Sequence, residues 1–533
     1  MPTKISVDKS LSQARQAVKK QDWVTAVQLL RSVLDRFPAN KKAARALGDI
    51  RVTALQALLE LAKSAQGNED WRLAKAQLEA AHYLAPDLVE VRTALIECCL
   101  EAKFPKQALG LIKPVLDQNP EYAPYLVYQG RALHELNQAD AAKQSLKRVL
   151  ATAPDDVSAH RVLATVERSQ GDLISAQKHF EAGLKSAPWD VGIIRDLSAL
   201  RSEFSPDDPV IAQARQSLAK LGSESVRGAY LHFALFDMLK KAGEREAAFE
   251  HLIKGNKILA AHHPYDFKSE ALAGAFCKAQ FSEPLQTKTE KVETKFIFIT
   301  GLPRTGTTLA ERILARSDEV QAAGELNIIS TAVLEKLRSI RDRSNQRITD
   351  KDIASLRERI LLEFDQISDG HPVIVDKMPL NFRWIGFICA ALPEARIVHM
   401  NRDLHAVAWS LYRHAFQGRG HDFIYTPEDI ARFMIFHRDM MQHWRQVCGD
   451  RIHDLNYSDL VNDQSAATRG LAKAVGLEWT EAFLSPEKAT NHVRTSSVVQ
   501  VTKPIYQGSD ETWKTFEMQL EPLMKALETA KLI

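Results

Sequence analysis

Residues 295–308 read Lys-Phe-Ile-Phe-Ile-Thr-Gly-Leu-Pro-Arg-Thr-Gly-Thr-Thr, and this stretch decides the fold of the C-terminal half. Its first six residues form a short, mostly apolar run that ends at Gly301, which is typical of a buried parallel strand. The apolar residues after the glycine-rich turn have helical spacing: Leu309, Ile313 and Leu314. Strand, glycine-rich loop and helix predict a phosphate-binding loop, because the N–H groups and the dipole at a helix start favour an anion.

The loop differs from the nucleotide-triphosphatase pattern GxxxxGK[ST] at one position. Thr307 stands where that pattern has lysine, and the basic residue of the loop is Arg304. Without the lysine that reaches the β- and γ-phosphates, hydrolysis of ATP or GTP loses its usual clamp. The loop therefore favours a cofactor with a shorter chain of charged groups.

The N-terminal half has a 34-residue period. Alanine-rich segments end in prolines spaced 34 residues apart, at Pro86, Pro120, Pro154 and Pro188. A small residue precedes each of these prolines by 12 positions: Ala74, Ala108, Ala142 and Ala176. Ala26 and Pro38 repeat the spacing earlier, and about 14 extra residues follow them before the next unit. This is the period of the tetratricopeptide repeat, a pair of antiparallel helices, so an all-α solenoid is predicted.

The array continues less regularly toward the middle of the chain. A further helical pair is predicted for residues 230–261, with Gly243 at its turn and Ala248 at the small position. The stretch 191–227 breaks the register and is interpreted as an irregular repeat. Stacked repeats form a concave surface that usually binds peptides or proteins, so a protein or peptide partner is expected. A scaffold or dimerisation arm, giving a homodimer, is the alternative.

Composition argues against several other classes of protein. Lys and Arg number 70 against 67 Asp and Glu, so no general nucleic-acid surface is expected. Five scattered cysteines without a CxxC pair indicate neither a disulfide framework nor a zinc site. The polar start of the chain lacks a secretory signal, and no apolar stretch is long enough to predict a membrane span. We expect a cytoplasmic protein without membrane contact.

Two motifs after the loop contain a carboxylate, and the second of them also contains a lysine. Gly324-Glu325 is a glycine–carboxylate pair some twenty residues after it. Further on, the apolar run Val373-Ile-Val leads into Asp376-Lys377 and then Pro379. A positioned carboxylate accepts a proton from a hydroxyl group, and a lysine stabilises charge on a transferring group.

Three later motifs supply anion-binding and aromatic side chains. A strand from Arg396 runs into a helix, with Ser410 eight residues after Arg402. Another strand leads to Tyr457, which is followed by Leu460. The last motif covers 494–514 and contains Ser497, Lys503 and Trp513.

In this order of motifs the sequence resembles the sulfotransferases that use 3′-phosphoadenylyl sulfate (PAPS). It is most similar to the bacterial tetratricopeptide-repeat sulfotransferases and, more distantly, to the tyrosylprotein sulfotransferases. The resemblance covers roughly residues 296–523, and the repeat half resembles the bacterial group too. It implies an α/β P-loop sulfotransferase domain, with a parallel sheet flanked by helices, preceded by the all-α solenoid.

The resemblance also implies a cofactor and a role for each matching residue. The cofactor is PAPS and the product is 3′-phosphoadenosine 5′-phosphate (PAP), with no metal, because protein cations take its place. Glu325 is expected to act as the catalytic base, with Lys377 and Arg304 stabilising the developing charge. The expected cofactor-binding residues are Arg304, Thr305, Gly306, Thr307, Thr308, Arg402, Ser410, Tyr457, Ser497 and Lys503. Arg402 and Ser410 would bind the 3′-phosphate, since an arginine offers a dianion two parallel donors.

The 494–514 motif departs from the family at two positions. The family usually has arginine at the position of Thr502 and a basic residue at that of Thr512. Lys503 and Lys514 lie next to these positions and are expected to substitute for them.

Three alternatives stay open from the sequence. Tyrosine in a protein or peptide is the favoured acceptor, and a carbohydrate or small-molecule hydroxyl is the second. A P-loop kinase or NTPase, with Asp376 on magnesium, is a different enzyme class. An inactive transferase fold, with the repeats as a binding module, is the third reading. The predicted domain boundaries are 1–265 for the solenoid, 266–294 for a linker and 295–533 for the α/β domain.

Overall fold

A computed structural model describes residues 6–67, 70–283, 285, 292–416, 420–489 and 508–533. The chain divides into two compact units. One consists of Met1–Arg168 with Asp172–Ala187, and the other of Ser169–Gly171 with Pro188–Ile533.

The first ten helices follow the period of the sequence. They are α1 (Val7–Lys19), α2 (Trp23–Arg36), α3 (Lys41–Gly67), α4 (Trp71–Leu84), α5 (Val89–Glu101), α6 (Pro105–Gln118), α7 (Ala123–Glu135), α8 (Ala139–Thr152), α9 (Val157–Ser169) and α10 (Leu173–Ser186). Helices α4, α6, α8 and α10 have 14 residues each, and each ends two residues before one of the four prolines that mark the 34-residue period. The predicted tetratricopeptide-repeat solenoid is confirmed.

Small residues bring the paired helices into close contact. Ala74, Ala108 and Ala142 are fully buried. A Cβ atom at Gly130 of α7 would lie 2.8 Å from the Leu146 side chain of α8, so a larger residue there would push the two helices apart. The inserted residues are also accounted for, because they lengthen one helix: α3 has 27 residues and α5 has 13.

Five more helices precede the sheet and belong to the second unit. They are α11 (Val191–Leu200), α12 (Pro209–Leu221), α13 (Val226–Lys241), α14 (Arg245–His262) and α15 (Phe267–Gln280). Helices α13 and α14 form the predicted pair, with Gly243 at a positive φ of 89° in the turn and Ala248 buried.

Helix α15 lies within residues 266–294, which the sequence analysis assigned to a linker. Asp266 caps its start by accepting the Ser269 N–H. Gly274 packs against the Phe436 ring, and Cys277 is buried, so the helix has an apolar face. The sequence did not predict this face, because the residues that follow the helix are mostly polar. The domain boundaries at 265 and 295 stay predictions.

The second unit contains a five-stranded parallel sheet, as expected from the sequence. Its strands are β1 (Lys295–Gly301), β2 (Val320–Ala322), β3 (Val373–Asp376), β4 (Arg396–Asn401) and β5 (Ile452–Asn456). They lie in the order β2-β3-β1-β4-β5, and every neighbouring pair is parallel.

Helices connect and cover the strands. They are α16 (Thr307–Leu314), α17 (Ile328–Arg341), α18 (Asp350–Ile367), α19 (Ile385–Ala391), α20 (Leu404–Tyr412), α21 (Pro427–Cys448), α22 (Tyr457–Asn462), α23 (Gln464–Val475) and α24 (Glu521–Thr529). A core of aliphatic side chains from β1, β3 and β4 packs against α16 and α23, which fixes the sheet in place. None of the described helices is long and apolar enough to span a membrane.

Candidate active site

The predicted site residues follow the carboxyl ends of the five strands. Glu325 comes after β2, Lys377 after β3, Arg304 after β1, Arg402 after β4 and Tyr457 after β5. Because all neighbouring strands are parallel, these ends lie along one edge of the sheet. In open α/β sheets, ligands bind beyond that edge, next to the strand at which the strand order reverses. β1 is such a strand here, with β3 on one side and β4 on the other.

The glycine-rich loop turns sharply between β1 and α16. Gly301, Arg304 and Gly306 all have positive φ, at 148°, 74° and 99°. A Cβ atom at Gly301 would lie 2.7 Å from the Met400 carbonyl oxygen, and one at Gly306 would lie 2.8 Å from the Tyr457 ring. Both positions therefore require glycine on steric grounds as well as for their backbone conformation.

Hydroxyl groups line the loop and the first turn of α16. Thr305, Thr307 and Thr308 are all buried. The Thr305 hydroxyl donates to the Leu302 carbonyl at 2.8 Å, so in this structure its proton stabilises the turn. Thr307 and Thr308 are the first two residues of α16, so they lie at the positive end of its dipole.

The structure brings Arg304, Arg402 and Ser410 together. Arg304 Nε donates to the Ser410 hydroxyl at 3.0 Å, and Arg402 Nη1 donates to the Arg304 carbonyl oxygen at 3.0 Å. Ser410 lies on α20, which begins two residues after Arg402 and is buried from Ala406 to its end at Tyr412. Three residues predicted to bind one cofactor from two separate motifs thus form one contact network.

Arg402 has two further neighbours. Its guanidinium carbon lies 4.4 Å from the centre of the Tyr457 ring, which is a cation–π contact. Its Nε donates to the Asp510 carboxylate at 2.6 Å. Asp510 belongs to the short 3-10 helix Ser509–Phe516, which packs on the unit through the buried Phe516. An anionic group thus already lies against Arg402.

The predicted base and the predicted lysine form an ion pair. Lys377 Nζ lies 2.5 Å from Glu325 Oε1. The Lys377 side chain is fully buried, whereas the Glu325 side chain is 43% exposed, so the carboxylate is reachable from outside. The Lys377 N–H donates to the Gly324 carbonyl oxygen at 2.8 Å, which joins the end of β3 to the turn after β2.

Two buried carboxyl groups lie beside this pair. Glu311 Oε1 accepts the Gly324 N–H at 2.9 Å. Asp376 accepts the Asn381 side-chain amide at 3.1 Å and the Leu326 N–H at 3.4 Å. Burial raises the pKa of both groups, and that of Asp376 reaches about 8, since desolvation disfavours the charged form.

Two partly buried histidines lie near the site. Burial is the main cause that lowers the pKa of His421 to about 4; the charge of Glu325 opposes it and that of Arg383 adds to it. His421 stacks on Phe416, with ring centres 4.6 Å apart. Burial and the charge of Arg304 hold the pKa of His414 well below its usual range, and this ring contacts the Ser410 carbonyl oxygen. Both rings are therefore neutral near pH 7.

Two predicted cofactor contacts, Ser497 and Lys503, lie outside the described residues. In the described part of the chain, no group of three or more His, Cys, Asp or Glu side chains is arranged to hold a metal ion.

Glu311 and Asp510 were not predicted from the sequence. Asp376 was expected to hold magnesium only in the alternative enzyme class. Asp376 is 1% exposed and both of its oxygens accept hydrogen bonds from the protein, which is not the arrangement of an open metal ligand. Glu311 lies one helical turn after Thr307, and that spacing gave no signal, because it is shared with any residue on the inner face of α16.

Comparison with known proteins identifies both parts of the chain. Residues 297–481 match a family model described as the sulfotransferase family, and residues 103–166 match one described as the tetratricopeptide repeat. The chain carries a sulfotransferase-family domain. The matched residues include all of the sheet except the first two residues of β1, and they include all five strand ends described above.

Individual relatives cover different shares of the chain. An uncharacterized protein of Aquifex aeolicus (strain VF5) is 26% identical over 468 residues, which is 83% of this chain and 59% of that protein. Protein-tyrosine sulfotransferase 1 of Danio rerio is 24% identical over 211 residues, or 36% of this chain and 56% of that protein. The chain thus spans less than two thirds of the length of these curated relatives.

Among solved structures, the sulfotransferase domain of the Synechococcus PCC 7002 olefin synthase aligns with 47% of this chain and 98% of its own. The identity is 19% and the TM-score is 0.34.

Proposed function

We propose that the sulfotransferase domain transfers a sulfuryl group from PAPS to an acceptor hydroxyl. The observation that carries this proposal is the edge of the sheet, where Glu325 and Lys377 form one pair and Arg304, Arg402 and Ser410 form one network. A base, a buried ammonium group and two guanidinium groups are the functional groups that transfer between an anionic donor and a hydroxyl requires.

The residues of the site fit such a cofactor. Arg304 and Arg402 supply planar cationic donors, and the start of α16 supplies N–H groups and a positive dipole end. The Asp510 carboxylate on Arg402 indicates that this position accepts an anion. We assign the loop 301–308 to the 5′-phosphosulfate end and Arg402 with Ser410 to the 3′-phosphate end.

When bound, PAPS supplies the sulfuryl group and the leaving phosphate. Glu325 accepts the proton of the acceptor hydroxyl, and its half-exposed side chain leaves room for the acceptor to approach. Lys377 is buried and fixed by the sheet, so its charge is held in place before the reaction instead of being recruited from solvent. Arg304 adds a second positive charge from the loop.

For the acceptor we favour the tyrosine hydroxyl of a protein or peptide. The support is the Gly324-Glu325 pair and the similarity to proteins named protein-tyrosine sulfotransferase. The repeat unit offers a surface of the kind that binds peptides. A carbohydrate or small-molecule hydroxyl is the second candidate. Cytoplasmic location and a homodimer stay predictions.

A labelled-transfer assay tests the proposal. Wild-type protein, [³⁵S]PAPS and a pool of tyrosine-containing peptides are expected to give labelled peptide and PAP. Glu325→Gln is expected to lower the rate by at least about 100-fold, the contribution of a general base, while PAP still binds. The exposed Glu319→Gln is a matched control that is expected to leave the rate unchanged. Normal turnover of Glu325→Gln would remove Glu325 as the base.

A further inference from the structure

Two buried carboxyl groups hold the backbone on either side of Glu325. Glu311, from α16, accepts the N–H of Gly324 at 2.9 Å. Asp376, at the end of β3, accepts the N–H of Leu326 at 3.4 Å. Their exposed fractions are 6% and 1%, so neither is a surface carboxylate that meets the turn by chance.

The turn between them is held by hydrogen bonds and not by side-chain packing at Gly324. Gly324 adopts a positive φ of 72°, and no atom lies within 4 Å of where its Cβ would be, so side-chain packing does not hold it. The Lys377 N–H binds the Gly324 carbonyl oxygen, and Lys377 Nζ binds the Glu325 carboxylate. Each of the three residues of the turn is thus bonded to α16, to Asp376 at the end of β3 or to Lys377 directly after it.

Burial of these carboxyl groups costs free energy that a neutral residue would not. Moving an ionised carboxylate into a protein interior costs several kcal/mol, even after relaxation. The raised pKa of both groups lowers this cost, because a protonated carboxyl group is neutral and its carbonyl oxygen still accepts a backbone N–H.

Glu311 also connects the turn to the glycine-rich loop. It lies on α16, one helical turn after Thr307, where the loop ends. Because all eight residues of α16 are buried, Glu311 joins the Gly324 N–H to the loop through a closely packed helix. A displacement of about 1 Å between a base and its substrate lowers a rate by up to about 100-fold.

We propose that Glu311 and Asp376 are positioning residues that hold the Gly324–Leu326 turn and so fix the Glu325 carboxylate relative to the glycine-rich loop. This inference rests on the proposed role of Glu325 as the base. Neither residue touches the reacting groups in this account, because both act through the backbone of the turn.

Matched substitutions of the full-length protein test the proposal. Glu311→Met keeps the side-chain volume but removes the acceptor, and Glu311→Gln keeps an acceptor oxygen. We expect Glu311→Met to lower kcat by about 10- to 100-fold and Glu311→Gln to stay within about threefold of wild type, with PAP affinity within about twofold for both. Ile313→Val, a buried change on the same helix, controls for lost stability and is expected to keep wild-type kcat.

Asp376→Ala and Asp376→Asn form a second pair of variants. Asp376→Ala removes the acceptor of the Leu326 N–H and is expected to lower kcat as Glu311→Met does, whereas Asp376→Asn keeps an acceptor oxygen and is expected to behave as Glu311→Gln does. Wild-type turnover by Glu311→Met or Asp376→Ala would overturn the proposal. So would a Glu311→Gln variant as slow as Glu311→Met with intact PAP binding. If the Met or Ala variants do not fold, a loss of more than about tenfold in folded Glu311→Gln and Asp376→Asn overturns it, and retained activity supports it.

Amide hydrogen exchange separates this inference from the proposed function. Glu311→Met is expected to speed exchange at Gly324 and Asp376→Ala at Leu326, whether or not the protein transfers sulfuryl groups. Unchanged exchange at both amides would overturn the proposed hold on the turn. If wild-type protein shows no transfer while these amides respond, the proposed function fails and the role of the carboxyl groups in holding the turn stands.

Discussion

Arg402 makes three contacts with electron-rich groups. Its guanidinium group lies over the Tyr457 ring, donates to the Arg304 carbonyl oxygen and pairs with Asp510. Both partners of the Asp510 pair are partly shielded from solvent, at 13% and 32% exposed, so the contact is stronger than an ordinary surface pair. A phosphate that binds Arg402 meets this carboxylate as a competitor.

Replacement of Asp510 is therefore predicted to improve phosphate binding. Asp510→Asn is expected to tighten the binding of PAP about fivefold, which corresponds to ~1 kcal/mol, because one like-charged neighbour is removed. Isothermal titration calorimetry measures the effect. Glu511→Gln, on the same short helix and paired with Lys514 instead, is the control that is expected to change little. Weaker PAP binding by Asp510→Asn would show that Asp510 supports Arg402 instead of competing for it.

At the scale of elements, the glycine-rich loop and α16 depend on backbone shape. Gly306 has φ of 99° and faces the Tyr457 ring at a distance that leaves no room for a Cβ atom. Because the next residue starts α16, any shift at Gly306 also moves the first N–H groups of that helix.

Gly306→Ala is predicted to destabilise the sulfotransferase domain by about 2 kcal/mol and to weaken PAP binding, because alanine is strained at positive φ and meets the ring. Thermal melting and calorimetry measure the two effects. Gly110, inside α6, has open space around its Cβ position and no positive φ. Gly110→Ala is accordingly expected to stabilise its helix by about 0.5–1 kcal/mol. Equal effects of the two substitutions would contradict the steric account.

Elements were predictable where the signal was local. The 34-residue period and the buried alanines fixed the repeat helices, since each repeat contacts its sequence neighbours. The strand, loop and helix at 295–314 are also consecutive in the chain. Contacts such as Arg402–Asp510 join residues 108 positions apart, and they depend on strand order and on a helix after 508, which no local pattern encodes.

Helix α15 was also not predicted, although its residues are consecutive in the chain. Its hydrophobic face is made of small residues, which read as weakly apolar in the sequence. Its packing against the rest of the unit shows in contacts such as that of Gly274 with Phe436 and the ion pair between Glu270 and Arg383.

At the scale of the whole molecule, the helices before the sheet are part of its unit. Asn256 of α14 donates to the Tyr412 carbonyl oxygen at 3.0 Å. Phe281 meets Phe387 with ring centres 4.8 Å apart, and Phe236 meets Trp409 at 6.0 Å. These contacts cover aromatic side chains of the sulfotransferase domain that are otherwise exposed to water.

Two truncated chains test this division. A chain of residues 188–533 is predicted to melt cooperatively and to bind PAP, because it keeps the second unit intact. A chain of residues 295–533 is predicted to aggregate or to melt without cooperativity, because it exposes the apolar surfaces that α13, α14 and α15 cover. Calorimetric melting measures both. Cooperative folding of the shorter chain would place the domain boundary at 295.

Comparison of PAP with adenosine 5′-monophosphate tests the central claim most directly, because the two ligands differ only in the 3′-phosphate. Calorimetric titration of the full-length protein is predicted to show PAP bound about 10- to 100-fold more tightly, the gain expected from charge-assisted hydrogen bonds. Arg402→Ala is predicted to abolish that difference while adenosine 5′-monophosphate binds as before. Equal affinities of the wild-type protein for both ligands would contradict the assignment of this site to a 3′-phosphorylated cofactor.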